Sequence, residues 1–445
     1  MPRIVIISPP FLSHAGPLSV LAAALRDRGA DVHFACTEAF EPLATRAGVR
    51  FVPLSVSRNA NTGVAEGTRQ EAAEAARLSE FLDATRLGAI PTLITQARHR
   101  RADMLADPDA VFEDLRFLDE RLRPDWYVVD QLSYAATLAL HCLGLRYATF
   151  CPGHPTYVLA GPDSWFGVPY EWPGALRPDA GRLAELLGVA RENDRAFTER
   201  FDAFARDRAP NAPGPGRAFA LTSPHAVLYA YPRLPWLPER PTGPDHVHAG
   251  HMVGPAQPLD DDWSQRLRRL RSRARRVVLV ALGTFLSARD DVLRTVVSGV
   301  LEGTGSTGVV VAAGQRTAAL ADLAGDRVVV APSVPQQYLL PRVDAMVHHG
   351  GANSFTECLR FGVPALILPF SSDQFAVAYD GERAGVALVR DPNTLSPLDV
   401  PAALDALLLA GRPRTGRWTR ELARRGPDFA AARLLATMGE AVRAR

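Results

Sequence analysis

Lysine is absent from this chain, so all fifty basic residues are arginine. Set against 48 acidic residues they leave a formal net charge of only +2, which gives no electrostatic case for nucleic acid or an anionic membrane. Cysteine is scarce and unpaired in pattern. Cys36, Cys142, Cys151 and Cys358 form no CxxC motif and three lie in apolar segments, so buried thiols in a reducing compartment are expected. No stretch reaches the ~18–20 apolar residues of a spanning helix. The chain passes from Met-Pro-Arg straight into "IVIIS" without a charged leader or cleavage site. These absences predict a soluble, cytoplasmic protein without a transmembrane segment.

What is present is ordinary globular material. At 445 residues the chain is too long for one core and suits two domains. The opening "RIVIISPPFLSHAGPLSVLAAALRDRGADVHFACT" reads as strand, loop, helix, strand. Its short apolar run 4–7 suits a strand buried on both faces, Pro17 fits a first helical turn, and Gly29 ends the helix. "DWYVVD" and "YATFC" are further strands, whereas 55–120 is polar, Arg-rich and unassigned. From 276 the pattern begins afresh: "RVVLVALGT", "GVVVAAG", "RVVVAP", "DAMVHH" and "PALILPF" read as strands, with a helix at 290–302. Prolines and the acidic run Asp260–Asp262 lie between the halves. The expectation is an α/β protein of two Rossmann-like doubly wound domains facing a central cleft.

One segment carries the chemistry. "MVHHGGANSFTE", 346–357, follows a strand and opens a helix. A helix N-terminus leaves backbone N–H groups unpaired and suits an anion, while Gly350 and Gly351 allow close backbone approach. Glu357 lies one turn beyond Asn353, near where a ribose would follow a diphosphate. An ordinary glycine-rich turn would share these features. The next strand ends in "PFSSDQ", which sets Asp373 and Gln374 at a sheet edge where α/β proteins bind ligands. In isolation that dipeptide also suits a helix N-cap.

Together, "SVPQQYLLPRVDAMVHHGGANSFTECLRFGVPALILPFSSDQ" (333–374) closely resembles the donor signature of the family 1, UDP-glycosyltransferase-like, glycosyltransferases of GT-B fold, bacterial natural-product type. The resemblance implies that His349, Gly351, Asn353 and Ser354 hold a diphosphate and Glu357 the ribose. It implies that Asp373 and Gln374 take sugar hydroxyls and that Thr284 reaches phosphate or sugar. Ser333, Val334 and Gln336 fall at the base and ribose positions. Ser333 replaces the family's base-stacking Trp, so base contact must come from elsewhere. "SPPFLSHAGPLSVLA" is similar to the family's N-terminal loop, which makes His14 the expected general base and Asp130, ending "WYVVD", its partner. The aromatic loop around His154, Tyr157, Trp165 and Phe166 is the expected acceptor wall.

Three motifs point elsewhere and are set aside. "GTGSTG" (303–308) matches GxGxxG but precedes its strand, the wrong context for a dinucleotide site. His246, His248 and His251 could suggest zinc, yet they fall where the family runs a strand into the linker. "LDDDW" (259–263) is similar to a metal-binding Asp motif but reads as linker acid. The resemblance therefore implies an acceptor domain over 1–253, a linker over 254–275, a nucleotide-sugar domain over 276–425 and a returning helix over 426–445. The expected reaction is inverting, metal-independent transfer from a UDP-glucose-like or dTDP-linked sugar to a hydroxyl of a small apolar or aromatic acceptor, with no resident cofactor. A nucleotide-sugar epimerase of the same fold and a non-catalytic partner subunit are the rival readings.

Overall fold

Short segments, the central ones apolar and buried on both faces, pair in parallel along each named strand of the described residues. The computed structural model describes the chain except residues 58–59, 64–71, 104, 106, 212–213, 215, 241–242, 256–258, 304–306 and 444–445. The first sheet contains β1 (Arg3–Ile7), β2 (Asp31–Cys36), β3 (Arg50–Pro53), β4 (Trp126–Asp130), β5 (Tyr147–Cys151), β6 (Ala226–Tyr229) and β7 (Asp245–His248). The second contains β8 (Arg276–Ala281), β9 (Thr307–Ala312), β10 (Val328–Ala331), β11 (Ala345–His348), β12 (Ala365–Ile367) and β13 (Ala387–Val389).

Strand order locates the sites. It runs β3-β2-β1-β4-β5-β6-β7 in one sheet and β10-β9-β8-β11-β12-β13 in the other. The chain reverses its direction of growth between β1 and β4, and again between β8 and β11. A crevice opens outside the carboxyl ends of the strands at such a reversal, and ligands bind there. His14 follows β1 and Asp130 ends β4; Gly283 follows β8 and His349 follows β11.

The stretch 55–120 holds three helices, Ala72–Leu87, Ala89–Asp103 and Pro108–Leu122. Phe81, with Leu78 and Leu82, packs into the core of the second domain, so the first of these helices reaches across. The expected linker 254–275 contains a helix, Asp261–Arg273, whose Leu267 and Leu270 are buried. Leu270 belongs to the cluster that includes Val277 and Leu279 of β8. Its acidic run is a cap: the Asp260 side chain accepts the N–H of Trp263 at 2.7 Å, and Asp261 and Asp262 occupy the first turn. The final helix, Pro427–Arg443, returns to the first domain, where Ala430, Leu434 and Met438 join Leu18 and Leu21 in one cluster. Residues 304–306 of the GxGxxG look-alike lie outside the described residues; Gly303 ends the helix Asp290–Glu302. Among the described residues no helix is long and apolar enough to cross a membrane.

One carboxylate ties the domains together. Asp380, fully buried on the helix Gln374–Arg383 of the second domain, faces four donors of the first. His154 Nε2 and the Tyr231 hydroxyl lie 2.9 Å from its Oδ2; Trp236 Nε1, at 2.8 Å, and the Tyr170 hydroxyl bond its Oδ1. A buried carboxylate is tolerated only with such partners, and the donors left behind by its removal would be stranded without water. Asp380→Ala is expected to cost about 3–5 kcal/mol of unfolding free energy in a denaturant titration. A loss below about 1 kcal/mol, the scale of a surface pair, would contradict this account.

Candidate active site

β1 runs through a short loop into the helix Leu12–Asp27, whose first turn carries His14. There its Nδ1 lies 2.9 Å from Asp130 Oδ2 at the end of the neighbouring strand. Asp130 is fully buried, whereas the His14 side chain keeps 17% exposure. The second carboxylate oxygen accepts the N–H of Leu132 at 2.9 Å, which fixes the carboxylate's orientation. With Nδ1–H donated to Asp130, Nε2 retains the lone pair that can accept a proton. Burial alone would lower the His14 pKa, but the charge and hydrogen bond of Asp130, with a further contribution from Asp373, raise it above 6.5.

Across the cleft, β11 ends at His348 and the chain turns through His349, Gly350 and Gly351 into the helix Ala352–Phe361. Gly350 has φ 88°, and a Cβ there would stand 2.9 Å from the Gln374 carbonyl. A Cβ on Gly351 or Gly283 would come within 2.6 Å or 2.5 Å of the His349 ring, so the imidazole lies between two glycines. Burial pushes the His349 pKa down to about 4; the Ala281 carbonyl opposes this only partly, without a hydrogen bond of normal geometry to Nδ1. Burial thus favours the neutral imidazole in the ligand-free site, where it can offer an N–H. No side chain caps the helix at Gly351, which leaves the first-turn N–H groups for a ligand.

The remaining donor-side residues divide. Glu357 accepts Gln336 Nε2 at 2.6 Å and Gln337 Nε2 at 2.9 Å; burial raises its pKa against the pull of both amides. Gln336 Nε2 also lies 3.3 Å from Ser354 Oγ. Ser333 is exposed and Val334 half-buried. Asn353 donates its side-chain amide to the Ser13 carbonyl at 2.9 Å, which draws the glycine turn against the helical turn that carries His14. Thr284 Oγ1 lies 3.3 Å from Asn61 Nδ2. Asn61 is fully buried and went unnoticed in the sequence, since nothing in a polar stretch signals an amide that crosses a cleft.

Asp373 and Gln374, adjacent in sequence, do different things. The Gln374 carboxamide is spent on its own turn: Oε1 accepts the N–H groups of Phe370 and Ser371, and Nε2 donates to Ser371 Oγ at 3.0 Å. Asp373 Oδ2 accepts the His154 backbone N–H at 2.8 Å and its charge reaches His14.

The aromatic wall is only partly where the sequence suggested. His154 is fully buried against Asp380 and stacks on Tyr170 at 5.3 Å, so its ring lines no acceptor pocket. Trp165 lies between Arg217 and Arg191, 4.6 and 5.5 Å from its ring. Tyr157 and Phe166 do pack together, with centroids 5.0 Å apart, and Phe166 stacks on Phe219. Phe166, Phe197 and Phe219 line a cavity of about 150 Å³ beside Arg100, with neither His14 nor Asp130 in its wall. The three histidines near the linker are dispersed. Tyr229 stacks on His248 and bonds His246, while His251 faces the Leu422 carbonyl. Among the described residues no cluster of three His, Cys, Asp or Glu is placed to hold a metal.

Comparison with known proteins bears on this geometry. Residues 303–416 match the family model "Erythromycin biosynthesis protein CIII-like, C-terminal domain". The glycosyltransferase of kitacinnamycin superposes with TM-score 0.68 at 22% identity, over 98% of this chain and all of that one. This chain thus has the GT-B fold, and its C-terminal part resembles the erythromycin biosynthesis protein CIII-like domain. Glycosyltransferase VinC, in complex with dTDP, aligns with TM-score 0.65 at 22% identity over 98% of this chain and all of that one. The "uncharacterized UDP-glucosyltransferase YdhE" of Bacillus subtilis is 33% identical over 108 residues, 23% of this chain and 26% of that protein. The chain thus spans about a quarter, or less, of the length of the curated relatives it matches.

Within this GT-B frame the His14–Asp130 pair has a property that can be read directly. The His14 titration midpoint, followed by imidazole NMR, is expected above 6.5 in the native protein and below it in Asp130→Asn. With the charge removed, burial is the dominant influence left. An unchanged midpoint would show that Asp130 does not hold the imidazolium.

Proposed function

We propose that this chain is an inverting glycosyltransferase that moves a sugar from a pyrimidine nucleoside diphosphate to a hydroxyl of a small apolar or aromatic acceptor. The observation that carries the reading is the approach of two half-sites: the Asn353–Ser13 bond of 2.9 Å brings the glycine turn beside the helical turn that carries His14. The turn offers backbone N–H groups, a helix dipole and the His349 N–H to a diphosphate, with Glu357 one turn along for the ribose. Asp373 is available to a sugar hydroxyl.

In the mechanism, His14 Nε2 takes the proton of the acceptor hydroxyl while Asp130 stabilises the imidazolium. The acceptor oxygen attacks the anomeric carbon from the side opposite the diphosphate, the bond to the leaving oxygen breaks, and configuration inverts. Charge grows on the departing diphosphate, where fixed N–H dipoles are worth most because they need no reorganisation. These groups suffice without a divalent metal. Docked domains exclude water that would otherwise hydrolyse the donor.

The base and sugar are less constrained than the reaction. The dTDP complex of VinC supports thymidine, and the name of the Bacillus relative supports UDP-glucose. With Gln374 committed to its turn, Asp373 alone faces the sugar, so a deoxysugar is as well supported as glucose. The apolar or aromatic acceptor rests on the family resemblance, since the cavity lined by Phe166 and Phe219 has neither His14 nor Asp130 in its wall.

His14→Ala should cost transfer roughly 10²–10⁴-fold while leaving nucleotide affinity intact. Product NMR should show the anomer opposite to the donor's. Parallel loss of nucleotide binding, or a retained anomer, would overturn the division of roles.

A further inference from the structure

We propose that Asp373, the carboxylate assigned to the donor sugar, is aimed by the first domain, so that sugar recognition is complete only when the two domains are docked. The inference rests on the donor reading above and names two positioning elements, Gln96 and the Gly153–His154 backbone.

The turn before the helix Gln374–Arg383 contains Ser372 at φ 56°, a left-handed conformation that costs a residue bearing a Cβ. The compensation comes from the other domain. Gln96, on the helix Ala89–Asp103, accepts the Ser372 N–H at 3.0 Å and donates to Ser372 Oγ at 2.8 Å. One residue on, Asp373 Oδ2 accepts the His154 N–H at 2.8 Å. Gly153 makes that approach possible, since a Cβ there would stand 2.9 Å from the same oxygen. The His154 ring is pinned in turn by Asp380 at 2.9 Å and by Thr156 at 2.7 Å, so its backbone has little room to drift.

The second domain's own bonds secure a different part of the turn. Gln374 closes on Phe370 and Ser371 and makes no bond to Ser372 or the Asp373 carboxylate. The nucleotide cradle, by contrast, is built mainly within the second domain: Gly350 and Gly351 stand against Gln374 and His349, and Glu357 against Gln336 and Gln337, while the Asn353 and Thr284 side chains touch the first domain at Ser13 and Asn61. Separation of the domains would therefore leave the diphosphate site standing and release Ser372 and Asp373. Coupling of this kind makes donor activation depend on closure.

The test is calorimetric titration of the full-length protein with UDP, dTDP, UDP-glucose and dTDP-glucose, in wild type, Gln96→Ala, Gln96→Glu and Gly153→Ala. Nucleoside diphosphate affinity should stay within about twofold of wild type in each variant. In Gln96→Ala and Gly153→Ala the ratio of nucleotide-sugar to nucleotide affinity should fall about tenfold, and kcat/KM with it. Gln96→Glu, which keeps the acceptor for the Ser372 N–H, should recover part of the loss. Equal weakening of nucleotide and nucleotide sugar would mark Gln96 and Gly153 as merely structural and overturn the proposal, as would an unchanged ratio. Wild-type protein that binds neither nucleotide would instead refute the donor reading, and this proposal with it.

Discussion

The register between the two domains depends on the burial of the Asp380 carboxylate. A carboxylate removed from water must be met by donors in fixed positions, and here all four come from the opposite domain, on His154, Tyr170, Tyr231 and Trp236. Asp373 stands just ahead of the same helix, so the contact that secures Asp380 also sets a second carboxylate near His14. A contiguous apolar cluster runs through this junction, from Tyr229 and Tyr231 to Phe355 and Val377. Hydrophobic burial supplies adhesion there, and the polar bonds supply direction.

The site handles charge with few ions. Burial favours neutral His349 and pushes Glu357 toward its protonated form, and buried Arg289 is occupied by Asp291, Asn393 and Thr85. The positive potential offered to a diphosphate thus comes from oriented N–H groups at the start of the helix Ala352–Phe361. Fixed dipoles hold an anion and continue to stabilise it as its charge grows during bond cleavage. His14 is the exception. Its pKa is raised by Asp130 and Asp373, which suits a group that must hold a proton once the acceptor oxygen has given it up.

Much of this was legible in the sequence because it depends on local pattern. Runs such as "VVLVA" announce strands buried on both faces, and "HHGGANS" after such a run announces an open helix terminus. His14 and Asp130 were identified through the resemblance of their segments to the family's N-terminal loop and its aspartate partner. What escaped depends on the partner domain. The helix Ala72–Leu87 gives Leu78, Phe81 and Leu82 to the second domain's core, so its apolar residues follow no single-domain stripe. β3, β6, β7 and β13 are edge or near-edge strands of only three or four residues, too short for a period to declare itself. His154 looked like a pocket histidine because the sequence cannot show Asp380, more than two hundred positions on, waiting for it. Gln374 looked like half of a sugar-binding pair, but its amide closes the turn that presents Asp373.

The central claim is that the glycine turn holds a pyrimidine nucleoside diphosphate through backbone dipoles. Thermal unfolding with UDP, dTDP, GDP and NAD in parallel, without added metal, tests it most directly. A bound ligand at a hundred times its dissociation constant adds about 2.7 kcal/mol of stability. Stabilisation by UDP or dTDP and not by NAD is the predicted result, and it would also name the base. Stabilisation by none of the four, or by NAD alone, would contradict the account.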